Sequence, residues 1–268
     1  ALQARGVEVK MIWQSWGHSH LEPAPGEFSL KNGPPPDPVT QYETGRLLGW
    51  FDHYLKDSGA DTGPEFAYFR NWLPYTGNAA PAYAESASYP AGSERTFALS
   101  GDDRLVTDPA QALPGARTVY TAPAGLPTGV EPLNITPTDY LPTAQIPGTD
   151  ASWTTAPMTT PLDVVGLPSV RLRVQAPGDP VVFLEIYDVA PDGTATLING
   201  LTTPVRIPAG ATEVDATLAG IVHRFDVGHS VRLTVAGGDI SFRGGAGPLP
   251  VTIFADGSGP LTLPVVGP

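Results

Sequence analysis

Ser169-Val170-Arg171-Leu172-Arg173-Val174-Gln175 alternates apolar with polar side chains. Successive residues of a β-strand point to opposite faces, so Val170, Leu172 and Val174 share one face and Arg171, Arg173 and Gln175 the other. The pattern recurs in Val182, Leu184 and Ile186, which the turn Ala190-Pro191-Asp192-Gly193 and a return strand from Thr194 to Ile198 follow. It recurs again in Val214, Ala216 and Leu218, and in Val231, Leu233 and Val235. Two further sets are Leu249, Val251 and Ile253, then Leu261, Leu263 and Val265. Each set reads as a half-buried strand of an antiparallel sheet. Short alternating runs separated by Gly and Pro are the pattern of a β-sandwich or barrel. The chain holds 30 glycines and 31 prolines, with 41% hydrophobic residues to fill a core.

Working back toward the N-terminus, this pattern stops at about Ser93, and a loop over 74–93 forms the boundary between a first domain, 1–92, and a second, 93–268. In the first, residues 1–5 read as the last turn of a helix stopped by Gly6. Val7-Glu8-Val9-Lys10-Met11-Ile12-Trp13 reads as a strand, and the polar loop Gln14-Ser15-Trp16-Gly17-His18-Ser19-His20 follows it. Helix end, short strand and polar loop make one αβ unit of a parallel sheet, which needs neighbours to be buried. Asp37 and Pro38 predict a helix start, and Leu47, Trp50, Phe51, Tyr54 and Leu55 predict an amphipathic helix over 38–57. Glu65 to Trp72 predicts one more strand. Residues 122–150 form a long Pro-rich loop, a length that points to a functional role.

Composition excludes several classes. The net charge is −12, so no basic surface exists to track nucleic acid. Cysteine is absent, which excludes disulfides and thiolate metal sites and fits the bacterial cytoplasm or a secreted protein alike. No apolar run reaches the length of a transmembrane helix. The start, Ala1-Leu2-Gln3-Ala4-Arg5, has the form neither of an initiator methionine nor of a signal peptide, and leads us to expect sequence before it.

His18 is the main candidate for chemistry. It follows a predicted strand in a Gly-containing loop, the position of the triad histidine when the chain order is Ser, Asp or Glu, then His. A surface histidine bonded locally is the competing reading, and spacing leaves both open. His20 ranks second. The elbow pattern G-x-S-x-G occurs nowhere in the sequence. Ser258, in Asp256-Gly257-Ser258-Gly259, has the wrong spacing and sits in a predicted β-turn. His53, beside the helix stripe, reads as packing or solvated rather than functional. His223 and His229 with Asp226 lack the convergence of metal ligands. Asp102 and Asp103 form a turn that offers at most a calcium site. Gly244-Gly245-Ala246-Gly247 opens no helix that would hold phosphate. Trp16 is a substrate-pocket candidate because it neighbours His18. No cofactor or metal is expected.

Trp16-Gly17-His18-Ser19, Gly49-Trp50-Phe51-Asp52-His53-Tyr54-Leu55-Lys56 and Tyr68-Phe69-Arg70-Asn71-Trp72 stand in this order. After them come Ser152-Trp153, Ala156-Pro157-Met158-Thr159, Pro161-Leu162-Asp163-Val164, Asp188-Val189, Asn199-Gly200-Leu201 and Gly228-His229-Ser230-Val231-Arg232-Leu233. The ordered set resembles the X-Pro dipeptidyl-peptidases and the cocaine-esterase-like acyl hydrolases over nearly the whole chain. The resemblance implies a mainly β chain. A C-terminal jelly-roll β-sandwich of galactose-binding-like fold would follow the last αβ unit and a helix of an α/β-hydrolase domain. It implies that His18 is the triad histidine, that Asp163, Asp188 and His229 are structural, and that the substrate is a small peptide or ester. The serine and aspartate of the triad would come from a missing N-terminal hydrolase segment or a second chain, so the 268-residue chain alone should be inactive. The rival expectation is a stand-alone sandwich binding carbohydrate or a protein partner.

Overall fold

The computed structural model describes residues 3–17, 22–30, 33–122, 129–130, 144–145, 148–239, 242 and 247–267. The chain divides into two compact units, Ala1–Ala91 and Gly92–Pro268.

The first unit holds β1 (Met11–Trp13), α1 (Tyr42–Lys56), β2 (Phe66–Phe69) and β3 (Tyr83–Ser86) in a sheet of order β1-β2-β3. β1 pairs parallel with β2, Met11 opposite Phe66 and Trp13 opposite Tyr68. β3 pairs antiparallel with β2. β2 is apolar throughout and buried throughout, as a central strand should be.

Three expectations need correction here. The strand predicted over 7–13 is paired only over 11–13: the Met11 N–H bonds the Glu65 carbonyl, and further back Gly63, at φ +68°, takes the partner segment out of extended backbone, its carbonyl accepting instead from Lys10 Nζ at 2.7 Å. The helix begins at Tyr42 rather than Pro38. The Asp37 carboxylate caps a separate turn, accepting from the Val39 N–H at 2.9 Å and the Thr40 hydroxyl at 2.7 Å, and extended backbone at Gln41 then breaks the run. Within the stretch expected to be loop, the alternating Tyr83-Ala84-Glu85-Ser86 forms β3 after a 3-10 turn at Ala80–Ala82. The helix stripe is also not covered: Phe51 is 49% and Leu55 76% exposed, while Glu43 and Thr44 are buried.

The second unit is mainly β. Its strands are β4 (Ser93–Ser100), β5 (Arg104–Val106), β6 (Gly115–Tyr120), β7 (Gly129–Val130), β8 (Ala144–Gln145), β9 (Asp150–Thr155) and β10 (Leu162–Gly166). They continue with β11 (Ser169–Gln175), β12 (Val181–Val189), β13 (Ala195–Arg206), β14 (Glu213–Thr217), β15 (Ile221–Phe225), β16 (Ser230–Ala236) and β17 (Pro250–Val266). Hydrogen bonding runs β13-β12-β16-β9-β5-β4-β17-β10-β15, with β6 and β11 also paired to β17, β14 paired to β11, and β7 paired with β8. The heptapeptide at 169–175 is β11, with Val170, Leu172 and Val174 buried as its alternation requires.

β17 corrects the reading of the last two alternating sets. They are one strand of 17 residues, and Ser258 lies in it rather than in a turn. Gly257, at φ +87°, and Gly259 let the strand bulge instead of reversing, and the register to β4 shifts between Asp256 and Pro260. A Cβ on Gly259 would stand 2.4 Å from the Arg171 carbonyl oxygen, so only glycine lets β11 pass. The strands pack around one core in which Phe97, Trp153, Phe225, Leu233, Ile253 and Leu261 are fully enclosed.

Candidate active site

β1 delivers the chain into Gln14-Ser15-Trp16-Gly17, immediately before His18. His18 and His20 lie outside the described residues, and so do 243–246 of the glycine run. What the structure describes is the foundation of the loop. Trp13 packs edge-on against Phe66 at 5.4 Å and fixes where the loop departs.

Two buried carboxylates then hold the loop. Glu27 is fully buried and accepts from the Ser15 N–H at 3.1 Å and from the Ser15 hydroxyl. It also accepts from the Ala24 N–H at 2.6 Å and the Tyr83 hydroxyl at 2.7 Å. Glu43 is 5% exposed and accepts the Trp16 indole N–H at 3.0 Å, and it stands 3.0 Å from the Tyr83 hydroxyl. Trp16 is half-buried with its ring stacked on Phe28 at 5.7 Å.

Local backbone explains how the two acids meet. Gly26, at φ +86°, turns the chain where a Cβ would stand 2.0 Å from the Asn78 side chain. The Gly26 and Glu27 carbonyls accept from the Tyr42 and Glu43 N–H groups at 2.8 and 2.9 Å, so the turn is bonded onto the first turn of α1. β3 brings Tyr83 up from the other side, stacked on Tyr42 at 4.0 Å. Burial pushes the Glu43 carboxyl above its ordinary range, and the neighbouring Glu27 adds to this. Burial, and then the bond to Glu27, raises the Tyr83 hydroxyl.

In the second unit, Asp188 on β12 joins two histidines. It meets His223 Nε2 at 2.9 Å and His229 Nδ1 at 2.8 Å. Burial works against its charge, but these two hydrogen bonds outweigh it and hold the carboxyl below the usual aspartate range. Asp163 takes a bidentate bond from Arg224 at 2.7 and 2.8 Å. Asp226 meets the histidine cluster through its backbone, its carbonyl accepting from the His229 N–H at 3.0 Å. Asp102 and Asp103 are engaged by Arg104 and Arg117. His53 bonds the Ala60 carbonyl at 2.8 Å. A groove of about 460 Å³ opens beside Arg173, Gln175, Glu213 and Phe254, where the Arg173 guanidinium lies over the Phe254 ring.

Sequence reasoning missed Glu27, Glu43 and Tyr83. Glutamates beside Gly26 and at a helix start read as solvated turn and dipole partners. The only signal was the close run of acids and aromatics in Gly26-Glu27-Phe28 and Tyr42-Glu43.

A family model described as the X-Pro dipeptidyl-peptidase C-terminal non-catalytic domain matches residues 76–244. No curated protein matches the sequence. Among solved structures, an aminopeptidase from a marine sediment Thaumarchaeota archaeon superposes with a TM-score of 0.69 at 16% identity, over 99% of this chain and 51% of that one. An α-amino acid ester hydrolase gives 0.67 at 15% identity, over 98% and 51%. A CocE/NonD family hydrolase from Staphylococcus aureus gives 0.59 at 14% identity, over 85% and 47%. At these identities the likeness is one of fold. The chain spans about half the length of the solved structures it matches.

Proposed function

The chain belongs to the family of X-Pro dipeptidyl-peptidase C-terminal non-catalytic domains, and on that premise we propose that it is the C-terminal half of a serine hydrolase acting on peptide or ester acyl bonds. The second unit would be the jelly-roll β-sandwich of galactose-binding-like fold. The first would be the closing αβ unit of the α/β-hydrolase domain, and the uncovered Phe51–Leu55 face of α1 would pack against the rest of that domain. The observation that carries the reading is the loop leaving β1: it follows a parallel strand, Glu27 and Glu43 brace it, and it runs directly into His18.

In this mechanism His18 takes the proton of a serine hydroxyl supplied by the other half. The serine oxygen bonds to the acyl carbon, and His18 passes the proton to the departing amine or alcohol. It then draws a proton from water as the water oxygen bonds to the acyl carbon, and returns that proton to the serine oxygen as the acyl–serine bond breaks. Trp16, beside His18, would line the acyl pocket.

The test is the enzyme assembled with its hydrolase half. His18→Ala should lower kcat by roughly three to six orders of magnitude with little change in KM or folding. His20→Ala should cost far less. The 268-residue chain alone should turn over neither chromogenic esters nor X-Pro anilides. Phosphonate-sensitive turnover by the pure chain, or a His18→Ala enzyme of undiminished kcat, would overturn the proposal.

A further inference from the structure

We propose that Glu27 and Glu43 act as one proton-sharing pair across the Tyr83 hydroxyl, Glu27 as carboxylate and Glu43 as neutral acid, and that this pair sets the position of Ser15 and Trp16, the residues that lead into His18. The link to catalysis rests on the triad reading of His18; the protonation states do not.

Hydrogen counting carries the inference. A phenol has one hydrogen to donate. Tyr83 stands 2.7 Å from Glu27 and 3.0 Å from Glu43, both within bonding distance. The shorter contact takes the phenol hydrogen. The second needs another, and of the two groups in it only a protonated Glu43 can supply one, to the Tyr83 oxygen. Glu27 is the better place for the charge because four donors converge on it: the Ser15 N–H, the Ser15 hydroxyl, the Ala24 N–H and Tyr83. Four matches the lone-pair capacity of an ionised carboxylate. Glu43, by contrast, has the Trp16 indole alone as a further donor among the described residues.

Electrostatics points the same way. Among the described residues no cation pairs with either acid. The nearby charged and titratable groups are otherwise engaged. Arg46, further along α1, bonds the Thr62 and Pro64 carbonyls. Arg70, after β2, bonds those of Pro81, Ala82 and Tyr83. Tyr42 donates to Glu85 at 2.7 Å. Two buried, unpaired like charges sharing one hydroxyl disfavour double ionisation, in keeping with the raised Glu43 carboxyl.

The consequence is a loop whose order depends on one proton. When Glu43 ionises, its bond to Tyr83 is lost and two anions face each other beneath Ser15 and Trp16. Loop order should therefore hold at and below the raised Glu43 range and fall as pH rises through it. In activity this gives a limb that falls as pH rises, the alkaline limb of the profile. Glutamine is neutral like the protonated acid, but Glu43 meets Trp16 and Tyr83 through one oxygen, Oε1, so the amide serves one of the two contacts: its nitrogen donates to Tyr83 or its oxygen accepts from Trp16.

The experiment has two arms. In the 268-residue chain, infrared difference spectra should show a protonated-carboxyl band at neutral pH that Glu43→Gln removes. The Trp16 indole N–H resonance, assigned by Trp16→Phe, should move with alkaline pH in the parent chain and stay fixed in Glu43→Gln. In the assembled enzyme, Glu43→Ala and Glu27→Gln should each lower kcat roughly ten- to hundredfold with KM nearly unchanged. Glu43→Gln, which stays neutral and keeps one of the two contacts, should recover part of the loss seen in Glu43→Ala and abolish the alkaline limb. Persistence of the band in Glu43→Gln, or equal losses from Glu43→Gln and Glu43→Ala, would overturn the proton-sharing pair. If both arms come out as expected but His18→Ala is harmless, the pair stands and the triad reading falls.

Discussion

Asp188→Ala tests what holds the ends of the large sheet together. His223 lies on β15, the last strand of the hydrogen-bonded path, and Asp188 on β12, next to its first strand. No backbone ladder links β12 to β15, so the Asp188 carboxylate bridges them through His223 at 2.9 Å, while it also holds His229, in the turn before β16, at 2.8 Å. The carboxylate side chain is 15% exposed. Hydrogen bonds to a charged group are worth about 1.5–3 kcal/mol each, but the freed imidazoles reach water, so the net loss should be about 2–3 kcal/mol. For a unit of this size that lowers the melting midpoint by roughly 5–10 °C. Asp188→Asn keeps an acceptor for one ring and a donor for the other, and should cost about 1 kcal/mol. The carboxyl is held below its ordinary range, so its contribution is complete above that range and vanishes as pH falls through the lowered value. Urea unfolding of the parent, Asp188→Ala and Asp188→Asn chains, followed by circular dichroism from neutral to acid pH, measures all of this. A loss under about 0.5 kcal/mol at neutral pH, or a gap between parent and Asp188→Ala that fails to narrow in acid, would refute the bridge.

The core and the helix face give two further expectations. Leu233→Ala should cost about 3–4 kcal/mol in urea unfolding, because Leu233 is fully buried on β16 between Ile186 of β12 and Trp153 of β9. Phe51→Glu should change the stability of the 268-residue chain by less than about 0.5 kcal/mol, since Phe51 is 49% exposed there. The same change should reduce light scattering by the chain and weaken its assembly with the hydrolase half, measured by sedimentation.

The β pattern was legible where one strand face meets the core and the other meets water. Arg171 and Arg173 announce the outer face of β11 as clearly as Leu172 announces the inner one. Legibility failed at β17, since Gly257 and Gly259 read as a reversal and only the neighbouring strands decide for a bulge. In α1, periodicity identified residues sharing a face; whether anything covers that face is a tertiary fact the pattern does not contain. β3 is too short to outweigh the Gly and Pro residues around it. At the site, His18 and Trp16 stood out because loop chemistry and family resemblance both point there. Glu27 and Glu43 were invisible for a physical reason: a buried acid looks in sequence like a solvated one until its donors are known.

The path of β17 also bears on how the protein is made. Along one edge it pairs with β6 and then β4, and along the other with β11 and then β10, so Ser93 finds its partner in Val265. A nascent chain that has reached residue 249 has made four strands whose shared partner does not yet exist. Contacts this distant in sequence form slowly. The sandwich therefore cannot close in step with the ribosome. Its unpaired edges stay open until β17 emerges, and during that interval chaperones or neighbouring nascent chains compete for them.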